Sequence, residues 1–351
     1  MFHFHSVVTS GALGEIYARL FTGALLVYYN ERNAARVRRR CRVFAPYPIQ
    51  SESIRSVYIV MNVLSEKRPF SARTCRASLE IFDLETGEAR VVKEYPYCVE
   101  APNWTKDGHS LIYNAKGRLF KLDLNTLIET AIDTGFADRC NNDHVLSPDN
   151  ARIAISHATA EDGLSRIYVL PLTGGTPALI TPIAPSYLHG WSPDGSTLAY
   201  CAERNGRYNI YTLPAEGGEE TRLTDGAELS DGPEYAPDGK RIWFNSARSG
   251  RMQLYRMDAD GKAVVQMTDD GRNNWFPHVS PDGQSVCYIS YDGQSVAPGD
   301  HPANKDVELR LLPAQGGTPQ TLLALFGGQG TLNVNSWSPD SKRFAFVRYA
   351  L

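Results

Sequence analysis

From residue 76 onward the chain alternates apolar and polar positions in short runs. Each run ends in a cluster of Gly, Pro, Asp or Ser. The clearest runs are "SLIYNA" (110–115), "RIAISHA" (152–158), "TLAYCAE" (197–203), "RIWFNSA" (241–247), "SVCYISY" (285–291) and "RFAFVRY" (343–349). Alternation of this kind, rich in β-branched and aromatic residues, predicts strands rather than helices. A second run follows each of the first five: "RLFKLDL", "RIYVLPL", "NIYTLPA", "QLYRMDA" and "ELRLLPA". Most then reach a glycine turn, as at 173–175, 216–218 and 315–317, and a short further strand such as "ALIT", "TRLT" or "VQMT".

One turn type precedes the first run of every group. It reads "WTKDG" (104–108), "LSPDN" (146–150), "WSPDG" (191–195), "YAPDG" (235–239), "VSPDG" (279–283) and "WSPDS" (337–341). The Pro presets φ, the Asp bonds its own backbone, and the last position takes a left-handed conformation that Gly accepts, Asn150 tolerates and Ser341 tolerates less well. The Asp residues stand at 107, 149, 194, 238, 282 and 340, in steps of 42, 45, 44, 44 and 58. Repeats of this length with four strands each predict propeller blades.

The sixth group stops after two strands, at Leu351. The missing pair is "SLEIFDLETGEARVV" (78–92), which has no partner strands before it. Joining the two closes the ring and removes exposed sheet edges. The expected fold is therefore all-β: a six-bladed β-propeller of four-stranded antiparallel blades over 76–351. Residues 1–75 fall outside it as an N-terminal extension, helical or poorly ordered.

Composition refines this picture. With 42% apolar and 21% charged residues the chain has globular values. Residues 1–75 hold 11 Lys/Arg against 4 Asp/Glu, a net +7, whereas the remainder holds 25 against 35, a net −10. An acidic body excludes nucleic acid as its partner, because phosphate binding needs clustered cations. The apolar stretch "IYARLFTGALLVYY" (16–29) is too short for a transmembrane span, and an amphipathic membrane-surface helix is one expectation for it. No export signal is legible, so the cytoplasm is expected over the periplasm, and a monomer is expected. Six cysteines (41, 75, 98, 140, 201, 287), spread without CxxC spacing, read as free thiols.

The stretch "WSPDG…LAY…IYTLPAEGGEETRLT" resembles the PD40 repeats of TolB-like propellers, and the resemblance covers 76–351. Relatives implied by it include a protein-binding propeller, propeller domains attached to prolyl peptidases, and oligogalacturonate lyases. The chain contains no GxSxG nucleophile elbow.

In such a ring the strand before each turn is innermost and opens at the mouth of a central funnel. Trp104, Trp191, Tyr235 and Trp337 are expected to fill the space between blades. Upstream of them lie "EAPN" (100–103), "CNNDH" (140–144), "PSYLH" (185–189), "LSDGPE" (229–234), "NNWFPH" (273–278) and "TLNVN" (331–335). These place Asn141, Asn142, Asp143, His144, Tyr187, His189, Asp231, Glu234, Asn273, Asn274, Trp275, His278 and Asn335 at the expected funnel. Convergent polar and aromatic groups of this kind suit a peptide segment or a carbohydrate. No cofactor is required for that role.

A second expectation follows from the lyase resemblance. His144, His189, Glu234 and His278 form a candidate set for a divalent metal such as Mn or Zn, with His189 or Glu234 as base. The lyase pattern of two His separated by one residue is broken here by Phe276-Pro277-His278. Arg139 and Arg272 are the cations nearest the funnel segments. The longest step carries an insertion, 291–308, with Asp300, His301 and Lys305, positioned to cover the funnel in part. "FGGQGTLNVN" (326–335) lacks the Lys of a phosphate loop and reads as a flexible approach to the last inner strand.

Overall fold

The computed structural model describes residues 75–350 in full, together with the backbone of four strands between residues 6 and 43. The chain divides into two compact units, Met1–Pro69 and Phe70–Leu351.

In the first unit β1 (Ser6–Gly11), β2 (Gly14–Phe21), β3 (Ala24–Glu31) and β4 (Arg40–Val43) form one antiparallel sheet in chain order. The helix expected over 16–29 is therefore corrected. Residues 16–21 lie in β2 and 24–29 in β3, two strands paired from Gly14↔Glu31 to Phe21↔Ala24. The stretch carries three Tyr together with Ile16 and Val27 and is interrupted by Gly23, and both features favour a hairpin over a continuous helix.

The second unit is the propeller. Blade 1 comprises β7 (Glu100–Trp104), β8 (Ser110–Ala115), β9 (Arg118–Asp123) and β10 (Glu129–Ile132). Blade 2 runs through β11 (Cys140–Leu146), β12 (Arg152–Ala158), β13 (Ser165–Pro171) and β14 (Ala178–Leu179). Blade 3 has β15 (Ser186–Trp191), β16 (Thr197–Arg204), β17 (Arg207–Pro214) and β18 (Thr221–Arg222). Blade 4 has β19 (Ser230–Tyr235), β20 (Arg241–Ser246), β21 (Gln253–Asp258) and β22 (Val265–Gln266). Blade 5 has β23 (Asn273–Val279), β24 (Ser285–Tyr291), β25 (Lys305–Pro313) and β26 (Gln320–Gly327).

Blade 6 closes the ring as expected. Its strand β27 (Arg343–Ala350) pairs with β5 (Arg76–Asp83), with Val347 opposite Leu79, and β5 pairs with β6 (Glu88–Tyr95). The inner segment 331–337 is held more loosely, by a bridge between Trp337 and Phe344 and by Val347 N donating to Thr331 O at 3.0 Å. Neighbouring inner strands touch in sequence around the ring, from β7 through β11, β15 and β19 to β23, and β27 meets β7.

The core lies between blades. Leu79 and Val347 of blade 6 pack with Leu111 and Tyr113 of blade 1, and Trp243 of blade 4 packs with Val286 and Tyr288 of blade 5. Full burial of each such side chain stabilises by roughly 1.5–3 kcal/mol. Trp104, Trp191 and Trp337 are buried, and Trp191 Nε1 and Trp337 Nε1 donate to Val145 O and His278 O of the preceding blades. The turns behave as their sequences imply. Ser192 Oγ donates to Asp194 Oδ1, Gly195 takes φ +72°, and Asn150 and Ser341 take +56° and +61° at the same turn position.

The thiol expectation is corrected at two positions. Cys75 and Cys98, 23 residues apart, form a disulfide with Cα atoms 5.4 Å apart. The β5–β6 hairpin folds the chain back and makes them neighbours, which spacing alone did not reveal. Cys140, Cys201 and Cys287 are free and buried, and the side chain of Cys41 lies outside the described residues. The glycine approach to the last inner strand is also tight rather than flexible. Gly328 has φ +135°, and a Cβ there would meet Ala303 Cα at 2.6 Å, so the backbone passes too close for any side chain. Among the described residues no helix is long and apolar enough to cross a membrane, which says nothing of strands.

Candidate functional site

Each formal inner strand carries a bulge, and the bulge decides which side chains face inward. The register shifts between Glu100 and Asn103, Cys140 and His144, Leu188 and Gly190, Asp231 and Glu234, and Trp275 and His278. Three bulges are marked by left-handed residues at the same distance from the turn: Ala101 (φ 55°), Gly232 (61°) and Phe276 (55°). A bulky residue held there is strained by roughly 1–3 kcal/mol, and such strain concentrates at functional sites.

Side chains from these bulges build two layers. The first is a set of clasps. Asn103 Oδ1 of blade 1 accepts from Leu146 N of blade 2 at 2.9 Å, and Glu234 Oε1 of blade 4 accepts from Val279 N of blade 5 at 2.8 Å. Both clasp residues stand four positions before their turn Asp, so one device recurs. Glu234 also binds His278 Nδ1 at 2.7 Å through Oε2 and accepts from Asn335 Nδ2 of blade 6 at 2.7 Å. Asn335 O in turn accepts from Asn103 Nδ2 at 2.6 Å.

The second layer is the charged one. His189 Nε2 of blade 3 contacts Asp231 Oδ1 of blade 4 at 3.0 Å. Asp143 of blade 2 accepts from Asn333 Nδ2 of blade 6 at 2.7 Å and from Asn141 Nδ2 at 2.6 Å. Blades 2 and 6 are not neighbours, so this bond crosses the middle of the ring. His301, from the insertion between β24 and β25, stacks on Trp275 with ring centroids 4.2 Å apart. Phe276 stands between the two histidine rings, 5.7 Å from His189 and 5.4 Å from His301.

Electrostatics separate the two carboxyls. Burial pushes Asp143 up, only partly offset by His189 and Asn333. Burial acts the same way on Asp231, but the charge and hydrogen bond of His189, with His301 and the Gly232 N–H, bring it down to about 2. Burial opposes protonation of His189, yet Asp231 outweighs it and the net shift is upward. Desolvation holds His301 below its ordinary value.

The structure thus joins Asn141, Asp143, His189 and Asp231 in one cluster and adds Trp275 through His301. Tyr187 lies beside it, half-buried, its ring 6.5 Å from Tyr208. The Asn142 backbone carbonyl accepts from Asn333 at 3.3 Å. Glu234, His278 and Asn335 belong to the clasps. Two expected lining residues serve the blades instead. Asn273 binds Met252 N and Val296 O, and Asn274 binds Gln253, Asp270 and Ser290. His144 faces blade 1, fully buried beside Ala101 and Ile112, with neither ring nitrogen in a well-formed hydrogen bond; burial brings it down to about 4.

The four candidate metal ligands are therefore not gathered as one set. Among the described residues no three His, Cys, Asp or Glu side chains are grouped to hold a metal ion. Arg139 is exposed, and Arg272 is engaged with Ser290 and Glu308. Of the insertion residues, Asp300 and Lys305 are exposed and only His301 reaches the cluster.

Sequence reasoning placed the segments of Asn103, Phe276 and Asn333 at the funnel and His301 on an insertion over it, but counted none of the four among the ligand-binding residues. Aligning the repeats on their Asp would have shown Asn103 and Glu234 at the same position. His301 carried no such signal, because an insertion has no counterpart in other blades.

The TolB β-propeller domain family matches residues 146–315. An uncharacterized protein of Agrobacterium fabrum is 49% identical over 275 residues, covering 78% of this chain and 92% of that protein. A solved structure described as TolB from Agrobacterium tumefaciens is 48% identical with a TM-score of 0.76, covering 80% of this chain and all of that one. An oligogalacturonate lyase from Vibrio parahaemolyticus is 13% identical with a TM-score of 0.49, covering 98% of this chain and 96% of that one. Likeness at that level carries no argument about activity. Repeats, ring closure and near-half identity over the propeller agree, and the chain belongs to the TolB β-propeller family.

Proposed function

We propose that this chain is a binding propeller that takes a segment of peptide where its inner strands converge. The observation that carries the reading is the joined cluster of Asp143, His189, Asp231, His301 and Asn333, supplied by five blades. Convergent polar groups beside aromatic faces bind extended, hydrogen-bonding ligands. Asn141 and Tyr187 beside the cluster are half-buried, and the Asp231 side chain is 13% exposed.

Elimination on an anionic sugar is the weaker reading. Glu234 holds blades 4, 5 and 6 together through three hydrogen bonds, which leaves it poorly placed to take a substrate proton. No Lys or Arg among the described residues pairs with the cluster carboxylates to receive a uronate.

Thermal-shift and heteronuclear NMR titrations with a peptide array and with neutral and uronic oligosaccharides test this. Peptide-specific shifts, lost in His189→Ala, are expected. Shifts by oligosaccharides alone, or growth of ultraviolet absorbance from an unsaturated uronate product, would overturn the reading.

A further inference from the structure

We propose that the axial cluster recognises a cationic group of the peptide, a primary amine or guanidinium, held between Asp143 and Asp231. This rests on the binding reading above and goes further by naming the chemistry recognised.

The charge inventory supports it. Asp143 and Asp231 come from blades 2 and 4, and no Lys or Arg among the described residues forms an ion pair with either. The hydrogen-bond partners of Asp143 are neutral amides, Asn141 and Asn333, so its charge is left without a bonded cation. A carboxyl held up by burial and a second carboxyl nearby would be relieved by one added positive charge.

A second observation is independent of the acids. Glu234 is bonded to Nδ1 of His278, which leaves Nε2 as the other polar atom of the ring. That nitrogen is buried with no partner in the structure, in a side chain 4% exposed. Leaving a buried polar group unpaired costs about 1–3 kcal/mol, so the vacancy asks for a hydrogen-bonding partner. Glu234 and Asp231 flank the same bulge, and Glu234 acts electrostatically on His189, which places this nitrogen in the cluster's neighbourhood. The indole Nε1 of Trp275 is likewise buried and unpartnered, a donor suited to a peptide carbonyl next to the cation.

The aromatic wall is the third. Phe276 is kept in a left-handed conformation between His189 and His301, and Trp275 adjoins it with ring centroids 5.6 Å apart. Their faces are taken up by His189 and His301, so the rings wall the cluster off from water, and charges act more strongly in such low-dielectric surroundings.

The test uses the full chain and three tripeptides: Ac-Gly-Lys-Gly-NH2, its ε-acetyl-lysine form and its norleucine form. Titration calorimetry and NMR at millimolar peptide measure affinity for wild type, Asp143→Asn and Asp231→Asn, with folding of each variant checked by circular dichroism. The lysine peptide is expected to bind about tenfold or more tightly than the other two, and Asp143→Asn is expected to erase most of that difference. Binding should weaken as pH falls and Asp143, its carboxyl held above the ordinary range by burial, takes up a proton. The groups acting on Asp143 there are His189, Asp231, Tyr187 and Cys201, and Asp143→Asn should flatten the profile. Equal binding of all three peptides would overturn the cation while leaving a peptide site. No binding of any peptide would overturn both readings.

Discussion

Blades 2 and 3 each carry a histidine five residues before the turn aspartate, and the two histidines live in opposite surroundings. His144 pairs regularly with Ile155 and is driven against blade 1, where burial keeps it neutral. His189 falls in the register shift between Leu188 and Gly190 and points to Asp231, whose carboxylate raises its pKa against the effect of burial. In blade 2 the bulge lies earlier, so Asp143 rather than the histidine joins the axial cluster. A displacement of one or two residues along a strand exchanges the two sheet faces. Bulge placement thus sets which chemistry each blade contributes.

The largest effect expected from breaking this contrast is in blade 3. His189→Leu leaves Asp231 buried without its partner and should cost about 3–5 kcal/mol in urea denaturation. A loss below 1 kcal/mol would mean the pair contributes nothing the sheet does not already supply.

The two histidines should also respond to pH with opposite sign. The folded pKa of His144, about 4, lies below its unfolded value, so its contribution is present above about pH 6.5 and lost as pH falls toward 4. The full swing is on the order of 3 kcal/mol. For His189 the folded value is raised, so its contribution is present below about pH 6.5 and fades as pH climbs through the folded value. Asp231, folded pKa about 2, adds stability above about pH 4 that is lost in stronger acid. Denaturation curves for His144→Leu should lack the acid-side loss, and those for His189→Leu the alkaline one.

The disulfide offers a control remote from both histidines. Cys75→Ala with Cys98→Ala should lower stability by about 3 kcal/mol, through the freer unfolded chain, with the pH slopes unchanged. Thiol titration of denatured protein, with and without reductant, should differ by two groups.

The smallest effect is His144→Leu at pH 8. Its ring nitrogens make no well-formed hydrogen bond, so an apolar side chain of similar size should change stability by less than about 1 kcal/mol. At pH 5 the same variant should exceed wild type by on the order of 2 kcal/mol. Equal penalties for the two Leu variants would erase the distinction between the blades.

Much of this molecule was legible before any coordinates. The turn aspartates, the strand runs behind them and the orphan pair at 78–92 specified six blades and their closure, because turn chemistry and period-two patterning are local. The tryptophans before the turns were correctly placed between blades for the same reason. Strand content at 16–29 was missed because a short apolar stretch reads equally as helix or hairpin, and pairing settles it.

The site was legible only as a neighbourhood. Which residues meet depended on bulges, whose positions leave no mark in composition, and on an insertion that delivers His301 to Trp275 with no repeat to compare it with. Asn273 and Asn274 looked like recognition amides until tertiary contacts showed them tied to Met252, Val296 and Gln253. Cys75 and Cys98 became partners through a hairpin that spacing did not expose. By itself the sequence determined the repeat, the ring and its seam, since each follows from residues close together along the chain. Tertiary structure alone decided which carboxyl is held down and which is pushed up, which histidine is idle and which amide is engaged, because those properties depend on burial and on neighbours from other blades.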